Sequence, residues 1–349
     1  MQIYKYNRTI RIWLIIGLVM LVGQVILGGI TRLTGSGLSI TRWDIVSGVI
    51  PPLNTQQWLE AFDLYKQTPQ YLKINSNFEL KDFKFIYFWE YAHRLWVRIL
   101  GFIFLIPFVI FLIRKKIDFY LVKRLGLVVF FTALTASAGW IMVKSGLVDR
   151  PWVNAYKLTL HFVLAVLCIA AMVKTIADVY NYKDKSITKS PKKILSILIL
   201  ITFIQMIFAA LMSEMNAGIF FQTWPDMNGR FIPQVLLEGS NWTLHNLTNY
   251  DSFVFAPALI HFTHRFLAYV ILILMSALFL KYSSKGNKNS EKWLKSSFIL
   301  VFVQVFLGVS ILFNIGAGIP LFYGVAHQLV GILFFISLLF LYFSIRKRA

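Results

Sequence analysis

Residues 84–113 read KFIYFWEYAHRLWVRILGFIFLIPFVIFLI, and this stretch decides the solvent in which the chain folds. A helix needs about 20 consecutive, mostly apolar residues to cross the hydrocarbon of a bilayer. This run exceeds that length, with Glu90, His93, Arg94 and Arg98 set among apolar neighbours. Seven more runs of the same character lie at roughly 11–31, 122–143, 156–177, 194–213, 254–280, 294–314 and 321–345. Composition agrees: 58% of the 349 residues are apolar and 14% charged, against roughly 25% charged in a soluble domain. Mean hydropathy is +0.67. There is too little polar surface to cover a water-soluble body. The sequence predicts an all-α integral membrane protein with eight transmembrane helices, the lipid bilayer being its main partner. The first run follows Lys5, Arg8 and Arg11, as a signal peptide would. It is longer than a usual h-region and ends in Gly28-Gly29-Ile30-Thr31-Arg32 without a small-x-small cleavage site, which predicts a retained helix.

The net charge of +20 is a topology signal. Basic residues gather in alternate connections: the N-terminus, Arg114 to Arg124, Lys183 to Lys193, Lys281 to Lys295, and Arg346-Lys347-Arg348. These hold about 20 of them, against about 8 in segments 32–83, 144–155, 214–253 and 315–320. The positive-inside rule then places both termini in the cytoplasm and the long loops 32–83 and 214–253 outside. No nucleic-acid partner is implied. Cys168, the single cysteine, excludes an intrachain disulfide and any cysteine-based metal site. In the first outer loop, Trp58, Leu59, Phe62 and Tyr65 share one helical face before Pro69. They predict an amphipathic helix on the membrane surface or over the bundle, or an ordinary surface helix.

An internal repeat runs through the chain. Glu90-Tyr91-Ala92-His93-Arg94 opens the second span and His261-Phe262-Thr263-His264-Arg265 the sixth; His161 in the fourth matches His327 in the eighth. Gln24 precedes Gly28 by four, Gln304 precedes Gly308 by four and Gln205 precedes Ala209 by four, whereas Thr135 and Gly139 hold those places in the third span. A four-residue step puts the polar and the small residue on one helical face, where helices approach closely and a buried amide can bond across. The repeat predicts two pseudo-symmetric four-helix bundles, residues 1–180 with outer loop 32–83 and residues 181–349 with outer loop 214–253.

Six histidines are present. His93, His161, His264 and His327 each fall within about ten residues of the outer end of their helix, in the outer third of the bilayer at 1.5 Å per residue. Ionisable groups at such depth are costly and usually functional. Four imidazoles at one level, two per bundle, suit planar iron macrocycles gripped from both faces. They predict His93 with His161, and His264 with His327, as two haem-iron sites. Arg94 and Arg265 follow ligands directly and could hold haem propionates through the guanidinium fork, with Arg32 and Arg42 as further candidates. His261, one turn from His264, either lines the second site or packs at the interface; His245 belongs to an outer loop. Glu90 shares the face of His93, which gives it either a chemical role beside the haem or an ion pair with Arg94.

Gly28-Gly29-Ile30-Thr31-Arg32-Leu33-Thr34-Gly35-Ser36-Gly37-Leu38-Ser39, Glu90-Tyr91-Ala92-His93-Arg94, Gly139-Trp140-Ile141-Met142-Val143-Lys144-Ser145-Gly146-Leu147, Thr223-Trp224-Pro225-Asp226-Met227 and His264-Arg265 together resemble the haem A synthase family over essentially the whole chain. The branch it resembles, bacterial and mitochondrial-type, lacks an outer-loop cysteine pair; Thr135 departs from the glutamine expected there. The resemblance implies oxidation of the C8 methyl of haem O to the formyl of haem A, for cytochrome c oxidase assembly. It implies Glu90, His93 and His161 at the substrate haem, and haem b held by His264 and His327. It further implies a bacterial inner membrane, haem sites toward the periplasm and an unidentified electron donor, with haem O synthase, oxidase assembly factors or a homo-oligomer as further partners. The rival readings are an electron-transfer cytochrome b, which needs haems at different depths, a non-catalytic haem-handling protein with a clustered Trp-rich segment, and a transporter with broken helices. The outer Trp43, Trp58, Trp152, Trp224 and Trp242 are scattered.

Overall fold

The computed structural model describes residues 5–42, 50–147, 150–180, 191–283, 288–316 and 318–345. Trp43 and the basic residues Lys183, Lys185, Lys189, Lys285 and Arg346 to Arg348 lie outside the described residues. The helices are α1 (Arg8–Leu33), α2 (Thr55–Lys66), α3 (Pro69–Lys73), α4 (Leu80–Ile113), α5 (Phe119–Gly146), α6 (Ala155–Val179), α7 (Lys192–Glu214), α8 (Ala217–Phe220), α9 (Gln234–Leu237), α10 (Leu244–Thr248), α11 (Phe255–Tyr282), α12 (Lys288–Phe313) and α13 (Leu321–Ser344). Among the described residues, α1, α4, α5, α6, α7, α11, α12 and α13 are long and apolar enough to cross a membrane. The chain is a multi-pass membrane protein. Exposed side chains such as Phe102, Ile106, Ile113, Ile273 and Phe306 suit a surface solvated by acyl chains.

Several helices begin before the apolar run does, because polar caps extend them. α4 starts at Leu80 rather than 84, where Glu79 and Asp82 form a reciprocal capping box. α5 starts at Phe119 rather than 122, with Asp118 accepting from the Leu121 amide at 2.9 Å. Hydrophobicity alone cannot register such turns.

The chain packs as two compact units, one of Ile16–Ala165 and one of Met1–Ile15 with Val166–Ala349. In the first, α1 lies close against α4 through small residues. A Cβ at Gly23 would fall 2.9 Å from the Trp96 ring, the Trp96 indole donates to the Met20 carbonyl at 2.9 Å, and the Thr31 hydroxyl donates to the Trp89 carbonyl at 3.2 Å. The amphipathic stretch forms α2, whose Phe62 and Tyr65 stack on Phe83 of α4 at 5.1 and 5.2 Å. Leu59, expected on that face, is 41% exposed. Tyr65 is fully buried; it donates to Gln70 Oε1 and accepts from Asn75 Nδ2. Burial pushes its phenol up to about 12 against the opposing Asn75 bond, so it stays a donor. Gln70 in turn donates to the carbonyl of Gly35 at 2.9 Å, and Gly35 takes the left-handed φ of +65° that glycine allows. The chain leaving α1 is thereby tied to α2 and α3.

In the second unit, Leu195 and Leu198 of α7, Ile271, Met275 and Leu278 of α11, Leu294 and Val301 of α12, and Phe334, Leu338 and Leu341 of α13 form a buried core. Phe279 stacks on Phe298 at 4.0 Å and Trp293 on Phe340 at 4.6 Å. Ser297 and Ser337 share a hydrogen bond across α12 and α13 at 2.8 Å, as hydroxyls do where helices meet in lipid.

Candidate functional site: two imidazole pairs

In the first unit His93 stands on α4 and His161 on α6, within direct electrostatic reach of each other. Gln24 of α1 donates its amide to the backbone carbonyl of His93 at 3.2 Å. One turn along α1, Gly28 faces the ring: a Cβ there would come to 3.3 Å from His93 Nε2. His161 Nδ1 lies 2.8 Å from the carbonyl of Thr135 on α5, and a Cβ at Gly139 would come to 2.8 Å from His161 Cε1.

The second unit repeats these local contacts. Gln205 of α7 donates to the backbone carbonyl of His264 on α11 at 2.9 Å. Gln304 of α12 places its amide nitrogen 3.2 Å from His327 Nε2 on α13, and a Cβ at Gly308 would come to 3.0 Å from His327 Cε1. At Gly28, Gly139 and Gly308 the glycine thus lies against a histidine ring, and Gln24, Gln205 and Gln304 hold a histidine backbone or ring edge, whereas Thr135 does so through its own carbonyl. The sequence signal for these histidine seats was visible, but their targets were not.

The ring centroids of His264 and His327 are 6.4 Å apart, with planes inclined at 59°. A metal bonded at about 2 Å to each of two imidazole nitrogens, each ring centre lying about 1.2 Å behind its nitrogen, sets the centroids about 6.4 Å apart. The spacing therefore fits a two-imidazole iron clamp. The Nδ1 atoms of both rings are buried and, among the described residues, have no hydrogen-bond partner. Buried polar atoms left so are uncommon in packed cores and belong more often to sites. No cluster of three or more His, Cys, Asp or Glu suited to a metal ion occurs among the described residues; a haem needs only two axial ligands.

Glu90, 3% exposed, is the buried acid of the first unit. Its Oε2 accepts from the Ser39 hydroxyl at 2.7 Å and the Ile40 amide at 2.8 Å, and its Oε1 from Arg94 at 2.5 Å. Arg94 also donates to the Ile40 carbonyl at 3.2 Å. The ion pair expected from the i, i+4 spacing is present, and with it a contact that sequence reasoning missed: the chain at Ser39 and Ile40 is pinned to α4 through this carboxylate. The glycine-rich motif quoted for the family ends at Ser39, which was the available signal.

Arg265 is also engaged by protein. Its Nε donates to His261 Nε2 at 2.9 Å, and its terminal nitrogens donate to the carbonyls of Phe221, Thr223 and Asp226. His261 is 1% exposed, and its Nδ1 meets the Ala217 carbonyl at 3.2 Å. Its Nε2 thus braces the Arg265 latch that fastens the chain at Phe221, Thr223 and Asp226 to α11, while its Nδ1 meets α8. His245 lies on α10 beside Asn249 at 3.1 Å.

The latched segment contains a pH-sensitive contact outside the membrane. The Thr223 hydroxyl donates to Asp226 Oδ1, and the Gly229 amide donates to it at 3.1 Å. Those bonds, with Arg265 nearby, hold the Asp226 carboxyl below its ordinary range. A carboxyl depressed by folding contributes stability above its unfolded value and loses it as pH falls through the folded one. Hydrogen exchange at the Gly229 amide, corrected for intrinsic rate, is expected to stay slow from pH 7 to 5 and to quicken only below about pH 4. An Asp226→Asn variant is expected to exchange fast throughout; equal rates in both proteins would remove the carboxylate from the latch.

Residues 11–339 match the model of the COX15-CtaA family, described as cytochrome oxidase assembly protein. The chain is 36% identical over 331 residues to heme A synthase of Flavobacterium psychrophilum, covering 93% of this chain and 94% of that one. It is 35% identical over 353 residues to heme A synthase of Nitrosospira multiformis, covering 99% and 96%. To heme A synthase of Wolbachia sp. subsp. Brugia malayi it is 34% identical over 351 residues, covering 99% of each. A chain matched along nearly its whole length by both a family model and these relatives belongs to the COX15-CtaA family of cytochrome oxidase assembly proteins, the haem A synthases.

Proposed function

We propose that this protein is an oxidoreductase that converts the C8 methyl of haem O to the formyl of haem A, in the inner membrane and with both termini cytoplasmic. The observation that carries the site assignment is the pair of histidine seats, one of which has a buried carboxylate on the ligand helix. His93 and His161 take the substrate haem within the N-terminal bundle, 1–180. His264 and His327 hold haem b within the C-terminal bundle, 181–349. When bound, the haem groups supply the redox chemistry, while the protein supplies position and tuning.

The chain's own residues divide the remaining work. Gln24 and Gln205 fix the backbone at His93 and His264, so each ligand helix presents its ring from a set height. Gly28, Gly139 and Gly308 leave room for the rings to seat. Glu90, on the face of α4 that carries His93, orients the substrate or moves a proton at its carboxyl oxygens. Arg94 and Arg265, next to the ligands, would hold haem propionates; Arg265 also fastens the chain at Phe221, Thr223 and Asp226 to α11. The apolar lipid-facing surface gives a farnesyl tail a route from the bilayer.

The test is pigment analysis. Cells that make haem O, expressing this chain, are expected to yield haem A on chromatography of extracted pigment. Extracts with haem O and haem B alone, at normal protein levels, would reject the reading.

A further inference from the structure

The two histidine pairs are not built alike, and the difference lies in what holds each ring. His161 Nδ1 lies 2.8 Å from the Thr135 carbonyl. A carbonyl only accepts, so Nδ1 carries the hydrogen and Nε2 keeps its lone pair. This is the metal-binding tautomer, fixed in orientation by a backbone group that cannot move away. Two features of α5 permit it. Gly139 has no Cβ, and one there would fall 2.8 Å from Cε1 and 3.0 Å from Nδ1 of His161. Thr135 turns its hydroxyl back to the Phe131 carbonyl at 2.7 Å, so no side-chain amide competes for the ring. Where α12 carries Gln304 at the matching place, the amide meets His327 Nε2 and the ring's Nδ1 has no partner among the described residues.

His93 is held differently again. Its backbone carbonyl is tied by Gln24, while among the described residues no hydrogen bond reaches its ring. The helix is fixed and the imidazole is only packed, with Gly28 beside it. One ring of this pair is therefore locked by its second nitrogen and the other is seated by packing alone.

Resting on the assignment of this pair to the substrate haem, we propose that His161 is the permanent axial ligand and His93 the exchangeable one, with the Thr135 carbonyl as the positioning group that makes them unequal. The iron face that opens is then the one turned to α4, the helix that carries Glu90. A pair held equally on both sides could not open one face selectively. This pair can, while the resident haem keeps both ligands.

The experiment uses full-length holoprotein loaded with added haem O as the second haem. Wild type, His93→Gly and His161→Gly are compared by titration of haem O, by carbon monoxide difference spectra after reduction, and by added imidazole. Resident haem b content serves as the folding control. The expected result is that His93→Gly still takes up haem O and, once reduced, binds carbon monoxide with the absorption maximum of the wild-type adduct, because the trans ligand is His161 in both. His161→Gly is expected to lose haem O affinity by more than about 100-fold, since even an outer-shell partner of a ligand is worth about 10- to 100-fold. Gly139→Ala, which pushes the ring off the carbonyl, is expected to lose about 10- to 100-fold and to shift the carbon monoxide maximum. Equal losses in the two histidine variants, or the larger loss in His93→Gly, would overturn the ligand order and leave the site assignment standing. Unchanged haem O binding in both would overturn the order together with the assignment beneath it.

Discussion

His264→Ala and His327→Ala proteins, purified from membranes, are expected to come out without haem b, the absorbance of the low-spin bis-imidazole band falling to background at normal protein yield. The expectation rests on the 6.4 Å between the two ring centroids, a spacing that suits two imidazoles sharing one metal ion. Removing one ring leaves a single axial bond and a hole where the second imidazole packed. Outer-shell partners of metal ligands are worth about 10- to 100-fold in affinity, so losing a ligand should cost more. Gln304→Ala supplies the graded comparison. It removes the amide 3.2 Å from His327 Nε2 but neither ring, and is expected to keep haem b and the low-spin band. Full haem b content in either histidine variant, measured as pyridine haemochromogen per chain, would refute the clamp. A Gln304→Ala protein as empty as the histidine variants would make the amide a ligand-grade contact.

The membrane-spanning helices were legible from the sequence because lipid imposes one crude demand, about 20 apolar residues in a row. The ends of α4 and α5 were not, because a capping box at Glu79 and Asp82 and a cap at Asp118 follow polar rules that a hydropathy window averages away. Histidine placement was legible because His93-Arg94 recurs as His264-Arg265 and His161 matches His327 at similar depth, and the four-residue step from Gln24 to Gly28, Gln205 to Ala209 and Gln304 to Gly308 was legible as a shared polar and small face. What each amide would grasp was not. Gln24 and Gln205 reach a backbone carbonyl, Gln304 reaches a ring, and a sequence carries no backbone acceptors to read. The Arg265 latch was hidden for the same reason. Three of its acceptors are carbonyls of the chain at Phe221, Thr223 and Asp226, and its fourth, His261, reads as lining the second site or packing at the interface until its ring nitrogens are seen to be taken.

Glu90→Gln is expected to keep haem b and expression near wild type and to lower haem A output by about 100-fold or more, the scale on which a positioned acid–base group acts. The substitution is chosen against the geometry. A glutamine carbonyl can still accept from the Ser39 hydroxyl and the Ile40 amide, which now meet Oε2 at 2.7 and 2.8 Å, so the chain after α1 stays pinned. What is lost is the charge facing Arg94 and the capacity to take up a proton. Glu90→Ala removes the pin as well. Both variants break the buried ion pair, Glu90 and Arg94 side chains being only 4% and 14% exposed, and Glu90→Ala, which also loses the pin, is expected to lose yield along with activity. The ordering of the two separates the roles. If Glu90 were an anchor alone, Gln would restore haem A to wild-type levels and only Ala would fail. If the carboxylate acts on the substrate, both fail, and Gln fails in a protein whose haem b content and spectrum are those of the wild type. Haem A and haem b, quantified from one extract of the Glu90→Gln strain, decide between them.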